Sequence, residues 1–244
     1  MDNSNLRPGH AQIPSDSNRE LTTTKALAEA KANMTVLSKI EGVPRQAAQL
    51  PIGLAGDTNV RTPCGPRRVE NLRPGDLIVT RKDGLQPVRM IWKRTISATE
   101  VAADPSLAPV IIKPRAVGPM MPQSTLRLAA AHGMLLPGYR VDGLKDTDVC
   151  MVRARDFAQM SEDAMIDRRV STAEFYNLVF DNHQLFAANG LMVESFLPTP
   201  VSVSVLADED RERLEEIAPG AADGRGNFQP VDCPLLDEHA VLSA

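Results

Sequence analysis

Tyr176–Phe196, YNLVFDNHQLFAANGLMVESF, decides the fold class of this chain. It reads as short strand runs separated by turn signals. Tyr176–Phe180 is aromatic and aliphatic, which suits a half-buried strand. Asp181-Asn182 supplies a tight turn, and His183–Ala187 returns. Asn189-Gly190 is the strongest two-residue hairpin signal in the sequence, because both residues tolerate positive φ. Leu191–Val193 then runs back out. Asn177 and His183 are polar residues inside these apolar runs. Each is therefore either a satisfied core group or part of a site.

Working outward, the same texture extends upstream to Pro51. Thr58–Arg61 reads as a strand, Pro63-Cys64-Gly65-Pro66 as a turn, and Arg67–Leu72 leads into the turn Arg73-Pro74-Gly75-Asp76. Leu77–Arg81 and Gln86–Trp92 form a hairpin about Asp83-Gly84. Residues 95–108 read as a loop. Val110–Lys113, Leu126–Leu128, Met134–Leu136, Arg140–Val141 and Val149–Val152 are further strands, and Ser161–Asp167 a short helix. Strands at close intervals with turns between them predict an all-β sandwich or barrel-like fold.

The flanks differ. Residues 1–50 form an N-terminal tail, polar and disordered over 1–18, with a helix at 19–41 where Leu27, Ala30, Met34, Leu37 and Ile40 recur at helical spacing. Gly42 and Pro44 end that helix. It reads as a surface helix rather than a coiled coil. Residues 51–198 are the β domain. Residues 199–244 are a C-terminal tail with a charged helix over Asp208–Ile217, a Gly/Ala/Asp linker at Pro219–Asn227, and a mildly apolar end that packs back on the core.

Bulk properties exclude several classes. The net charge of -4 gives no electrostatic case for nucleic acid or an anionic membrane. No apolar run reaches the length of a membrane span, and the N-terminus lacks a secretory apolar core. Cys64, Cys150 and Cys233 are odd in number and far apart, with no CxxC pair. That argues against a disulfide framework or a zinc site and places the chain in the cytoplasm.

Thr62–Trp92, Leu126–Leu136 (LRLAAAHGMLL) and Tyr176–Ser195 together resemble the three blocks of the Hint domain shared by hedgehog autoprocessing domains and inteins, and in particular its bacterial branch. The opening block has a strand, a turn, a "valine, acid, leucine" step, a Gly-Asp pair and a hairpin. The central block carries a histidine before an apolar strand. The closing block carries "His, any, any, Phe, any, Ala-Asn-Gly". The resemblance covers residues 52–198 and implies a compact Hint-type β fold with helical or disordered tails. It also implies self-processing by autoproteolysis or protein splicing. In the family, a Cys or Ser at the first residue attacks the preceding carbonyl, a histidine protonates the departing amide nitrogen, and polar groups polarise the amide.

Carried over residue by residue, the nucleophile position falls on Gly53, which has no side chain. Ala129 stands where the central block offers a hydroxyl, while His132 is retained. Asn177 stands where the closing block often carries Asp, and His183 is retained. Glu194-Ser195 replaces the His-Asn pair that ends an intein. The resemblance thus implies a degenerate active site and a non-cleaving binding or structural module. The alternative is an autoproteolytic domain with a displaced nucleophile, Cys64 or Thr58 or Thr62, and His132 as proton donor. Cys64 reads as a turn residue, His183 as orienting a turn, and His132 equally as proton donor and as core histidine. No cofactor or metal is expected, since His132 and His183 lack a third ligand. A protein partner would dock through the 19–41 helix or the C-terminal tail.

Overall fold

The computed structural model describes residues 51–146, 148–221, 228, 230–236 and 242. The helix expected at 19–41, and the polar segment before it, lie outside these residues.

Among the described residues there are fourteen strands and four short helices. The strands are β1 (Leu54–Ala55), β2 (Asn59–Thr62), β3 (Gly65–Arg68), β4 (Leu77–Val79), β5 (Leu85–Pro87), β6 (Met90–Ser97), β7 (Val110–Ile112), β8 (Leu126–Leu128), β9 (Gly133–Pro137), β10 (Val149–Arg153), β11 (Ala164–Ile166), β12 (Thr172–Val179), β13 (Leu185–Ala188) and β14 (Leu191–Glu194). The helices are α1 (Ala98–Ala103), α2 (Ala154–Met160), α3 (Pro200–Ser204) and α4 (Asp208–Ile217). One six-stranded sheet has the order β11-β7-β8-β1-β12-β6, the other β10-β9-β14-β13-β2-β3, and β4-β5 form a separate ribbon. All pairs between these strands are antiparallel. The all-β expectation holds.

The main core draws on both large sheets. Leu54, Leu126 and Leu178 come from the first, and Val60, Leu136 and Val193 from the second. Phe180 and Phe186 join them across the crossing point, with ring centroids 6.0 Å apart. A smaller cluster forms where the C-terminal tail docks: Val203, Leu206 and Leu214 cover Met90, Trp92 and Val179. Trp92 meets Phe196 edge-on at 5.8 Å between ring centroids, a geometry aromatic pairs favour. The helix expected over Asp208–Ile217 forms with those bounds.

Several sequence expectations fail, each for a local reason. Asp181-Asn182 does not close a hairpin, since β12 and β13 belong to different sheets. The segment instead carries the chain from one layer to the other. Gln86–Trp92 is not one strand. Pro87 has no N–H to continue the ribbon; Val88 donates to Asp76 O and Arg89 to Val179 O, and β6 starts afresh beside β12. Residues 95–108 are not a loop. β6 runs to Ser97, which caps α1 in a reciprocal box with Glu100, and Pro105–Leu107 form one 3-10 turn. Ser161–Asp167 is not a helix. The helix is α2, one element earlier, where Ala154 and Phe157 share a buried face, and Ala164–Ile166 pairs with β7. Arg140–Val141 is no strand either: Gly138–Arg140 is a 3-10 turn and Val141 makes a single bridge.

The Asn189-Gly190 hairpin does form, and Asn189 does more than turn the chain. Its φ is 47° and its side chain is buried. Oδ1 accepts the Asn59 N–H at 2.8 Å, and Nδ2 donates to Thr125 O at 2.8 Å. Asn189→Ala removes both bonds at once, each of them partly shielded from water. We expect a loss of about 2 kcal/mol, read as a lower urea midpoint at unchanged slope. An unchanged midpoint would show that these bonds add nothing net.

Candidate functional site

The two-residue strand β1 lies mid-sheet, with Leu54 paired to Tyr176 on one side and to Leu128 on the other. It anchors the segment just before it. Ala131 N–H donates to Pro51 O at 2.9 Å, and Ala129 N–H donates to Gly53 O at 3.0 Å. The Ile52–Gly53 peptide between them is held from both sides by side chains. Gly53 N–H donates to His132 Nδ1 at 3.1 Å, and Asn177 Nδ2 donates to Ile52 O at 3.2 Å. His132 is fixed by its own N–H to Ala129 O at 3.0 Å and by Ala154 N–H to its carbonyl at 2.9 Å.

Gly53 has φ +127°, a region that favours glycine. A Cβ built there would stand 2.9 Å from Asn177 Nδ2, 2.9 Å from Phe175 Cβ and 3.1 Å from Tyr176 O. The close approach of Asn177 to the peptide uses the space a side chain would need.

His132 is fully buried, and burial pushes its pKa down to about 4. The Glu194 charge opposes that depression and His183 adds to it. His132 is thus neutral at pH 7, and with Nδ1 accepting, its proton sits on Nε2. That Nε2 is buried and has no hydrogen-bond partner, and the same holds for Asn177 Oδ1 and Thr58 Oγ1.

Glu194 is the residue that sequence reasoning did not place in a site. Its Oε1 accepts the Gly133 N–H at 2.7 Å. Its Oε2 stands 3.4 Å from His183 Nε2, long for a hydrogen bond but within ion-pair range. A Cβ on Gly133 would collide with the Glu194 carboxyl and lie 2.8 Å from Met151 Sδ, so the glycine makes room for the acid. Burial raises the Glu194 pKa, but the His183 contact, the neighbouring His132 and His183 rings and the Gly133 N–H outweigh it, and the net effect is downward. His183 Nδ1 accepts the Val231 N–H at 3.1 Å, which assigns its proton to Nε2 as well. The available signal was an acid inside the apolar run LMVESF.

His132, Asn177 and Gly53 therefore meet at one peptide bond, and His183 joins the same neighbourhood through Glu194. Cys64 does not. It sits exposed in the β2–β3 turn, its N–H donating to Thr62 Oγ1 at 3.3 Å. β13 and β14 lie between that hairpin and β9, the strand that follows His132. Thr62 Oγ1 is spent on Gly65 O at 2.6 Å. Cys150 is buried, and burial pushes its thiol up to about 11; burial raises Cys233 too. Both histidines use Nδ1 as an acceptor and carry the proton on Nε2, the wrong tautomer for binding a metal through Nε2. Among the described residues no group of three His, Cys, Asp or Glu is placed to hold an ion, and no helix is long and apolar enough to cross a membrane.

A family model described as Hint domain matches residues 52–200. None of the curated proteins matches the chain. Among solved structures, a bacterial intein-like domain from Clostridium thermocellum is similar at 14% identity, with 60% of this chain and 99% of that one covered and a TM-score of 0.41. A DnaB intein from Synechocystis sp. PCC 6803 is 13% identical over 60% of this chain and 99% of its own, with a TM-score of 0.37. The gp41-1 intein is 14% identical over 59% and 98%, with a TM-score of 0.37.

Proposed function

This chain belongs to the Hint domain family, and we propose that it is a non-cleaving member, a binding or structural module that keeps residues 1–52 covalently attached. The observation that supports this is the Ile52–Gly53 peptide, gripped by His132 and Asn177 but lacking any side chain at residue 53 to attack it. An acyl shift needs a thiol or hydroxyl on that residue, because only there does geometry replace collision. The remaining parts polarise the amide without a group to exploit it. His132 presents an acceptor to the amide nitrogen, so it steadies the bond rather than protonating it.

The displaced-nucleophile alternative draws little from the geometry. Cys64 faces solvent in its hairpin. Thr58 Oγ1 is buried without a partner to take its proton. Three free thiols suit a cytoplasmic setting. A protein partner, on this reading, engages residues 19–41 or the C-terminal tail.

The test is the intact mass of the full chain, tagged at both ends and incubated for days with and without dithiothreitol. We expect the full-length mass alone in both. A fragment ending at Ile52 that vanishes in His132→Ala would sink the proposal and establish a working self-processing unit.

A further inference from the structure

A cleft of about 250 Å³ opens where the β4–β5 turn, the β12–β13 connection and residues 230–232 meet. Its lining divides by burial. The floor holds His183 and Gln184, 6% and 4% exposed, while the rim carries Arg81, Lys82, Asp83 and Asp232, all exposed. The volume equals that of about eight liquid waters, so an occupant has no more than about ten non-hydrogen atoms.

Both walls are fixed before anything binds. Thr80 N–H donates to Gly84 O at 2.8 Å and Arg81 N–H to Leu185 O at 2.8 Å, which pins the turn that carries Arg81 and Lys82. Opposite, Asp232 sits between two tied neighbours. Val231 N–H donates to His183 Nδ1 at 3.1 Å, and Pro234 O accepts the Met151 N–H at 2.8 Å. The floor is already engaged: His183 turns Nε2 to Glu194, and Gln184 Nε2 donates to Asp83 Oδ2 at 2.8 Å. Asp83 is thereby tied to the floor. Arg81, Lys82 and Asp232 differ. Among the described residues, none of the three takes part in an ion pair or a side-chain hydrogen bond. Their charges nevertheless converge. Burial is the main cause that raises the Cys233 thiol, Arg81 and Lys82 pull it down and Asp232 lifts it further, so all three reach one sulfur beside the cleft.

Two cations stand on one wall and a carboxylate on the other, too far apart to pair. That arrangement matches a small molecule that is negative at one end and positive at the other. We propose that this cleft binds a zwitterion of the free α-amino acid class, its carboxylate on Arg81 and Lys82 and its ammonium on Asp232. Each contact alone is weak, because the rim is exposed. Selectivity comes from engaging both ends at once on groups that are already in place. The inference stands apart from the fate of the Ile52–Gly53 bond, which intact mass tests and ligand titration does not.

Titration of the 15N-labelled full chain with L-alanine, read as amide shifts, tests the proposal. We expect saturable shifts at Arg81, Lys82, Gln184, Leu185, Val231 and Asp232, half complete at roughly millimolar ligand. Propionate and ethylamine each offer one end and are expected to bind roughly tenfold more weakly. The double variant R81Q/K82Q is expected to abolish saturation. D232N is expected to weaken L-alanine roughly tenfold and to leave propionate as it was. The substituted side chains are exposed, and unshifted amides in β9 and β14 confirm that each variant is folded. Absence of saturable shifts with L-alanine overturns the proposal. Propionate or inorganic phosphate binding as tightly as L-alanine also overturns it, since the cleft is then an anion site with Asp232 a bystander. Undiminished L-alanine affinity in D232N does the same. If a variant unfolds, the ranking of L-alanine, propionate, ethylamine and phosphate on the parent chain decides.

Discussion

Gly53→Ala is expected to lower the stability of the folded domain by about 3 kcal/mol, and Gly53→Cys by a similar amount. Two costs combine. A side chain at φ +127° sits in a backbone region that L-residues rarely adopt, at roughly 1–3 kcal/mol. The new Cβ also meets Asn177 Nδ2 and Phe175 Cβ at 2.9 Å and Tyr176 O at 3.1 Å. Those neighbours are backbone or strand-locked side chains of β12, which sits mid-sheet between β1 and β6. Overpacking of this kind costs about 1–3 kcal/mol. For a chain of this size the total corresponds to a fall in Tm of roughly 6–12 °C. Differential scanning calorimetry of the two variants checks it. An unchanged Tm would mean that the backbone relaxes at no cost and that glycine is not required there. The same geometry makes Gly53→Cys a poor rescue of cleavage. Seating a thiol displaces Asn177, the group that holds the Ile52 carbonyl, so we expect no fragment ending at Ile52. Accumulation of that fragment would show that the missing nucleophile is the site's only defect.

The sequence names the residues that meet at the Ile52–Gly53 peptide, whereas the grip around it is only half legible there. The alignment of motif blocks pointed to Gly53, His132 and Asn177, because each lies at a fixed offset from turn and strand signals. Glu194 aligns only with an intein's final pair, which assigns it no role. Its role depends on β14 lying beside β9, a long-range pairing that no local pattern encodes. The fold shows the same division. Asn189-Gly190 and Leu126–Leu128 were set by local propensity and came out as expected. Asp181-Asn182 carried an equally good turn signal but joins two sheets, because Phe180 and Phe186 must both reach the shared core. β1 has only two residues between glycines, too few for any periodicity, yet it positions the whole site. The capping box at Ser97 and Glu100 is a readable helix start inside residues 95–108.

Acid should weaken the domain in two steps, the first belonging to His132. Burial holds that imidazole neutral in the folded chain, with a pKa pushed down from 6.5 to about 4. In the unfolded chain it accepts a proton near its ordinary value. Between these limits the unfolded state binds more protons, so stability falls as pH drops from about 6.5 toward 4 and this contribution levels off below. The gap corresponds to roughly 3 kcal/mol. Glu194 acts in the same direction at lower pH. Its folded pKa is depressed, so its contribution is present above the ordinary carboxylate range and is lost as pH falls through and below it. Urea midpoints at pH 7.5, 6.5, 5.5 and 4.5 measure the first step. His132→Asn keeps an acceptor for the Gly53 N–H but carries no titrating group. It is expected to be less stable than the parent at pH 7.5 and to lose most of the slope between pH 6.5 and 5. If the parent is equally stable from pH 7.5 to 5, His132 is not a buried neutral acceptor, and the grip on the Ile52–Gly53 peptide fails with it. If the slope survives in His132→Asn, another group carries it, and the peptide is held without the linkage to acid argued for His132.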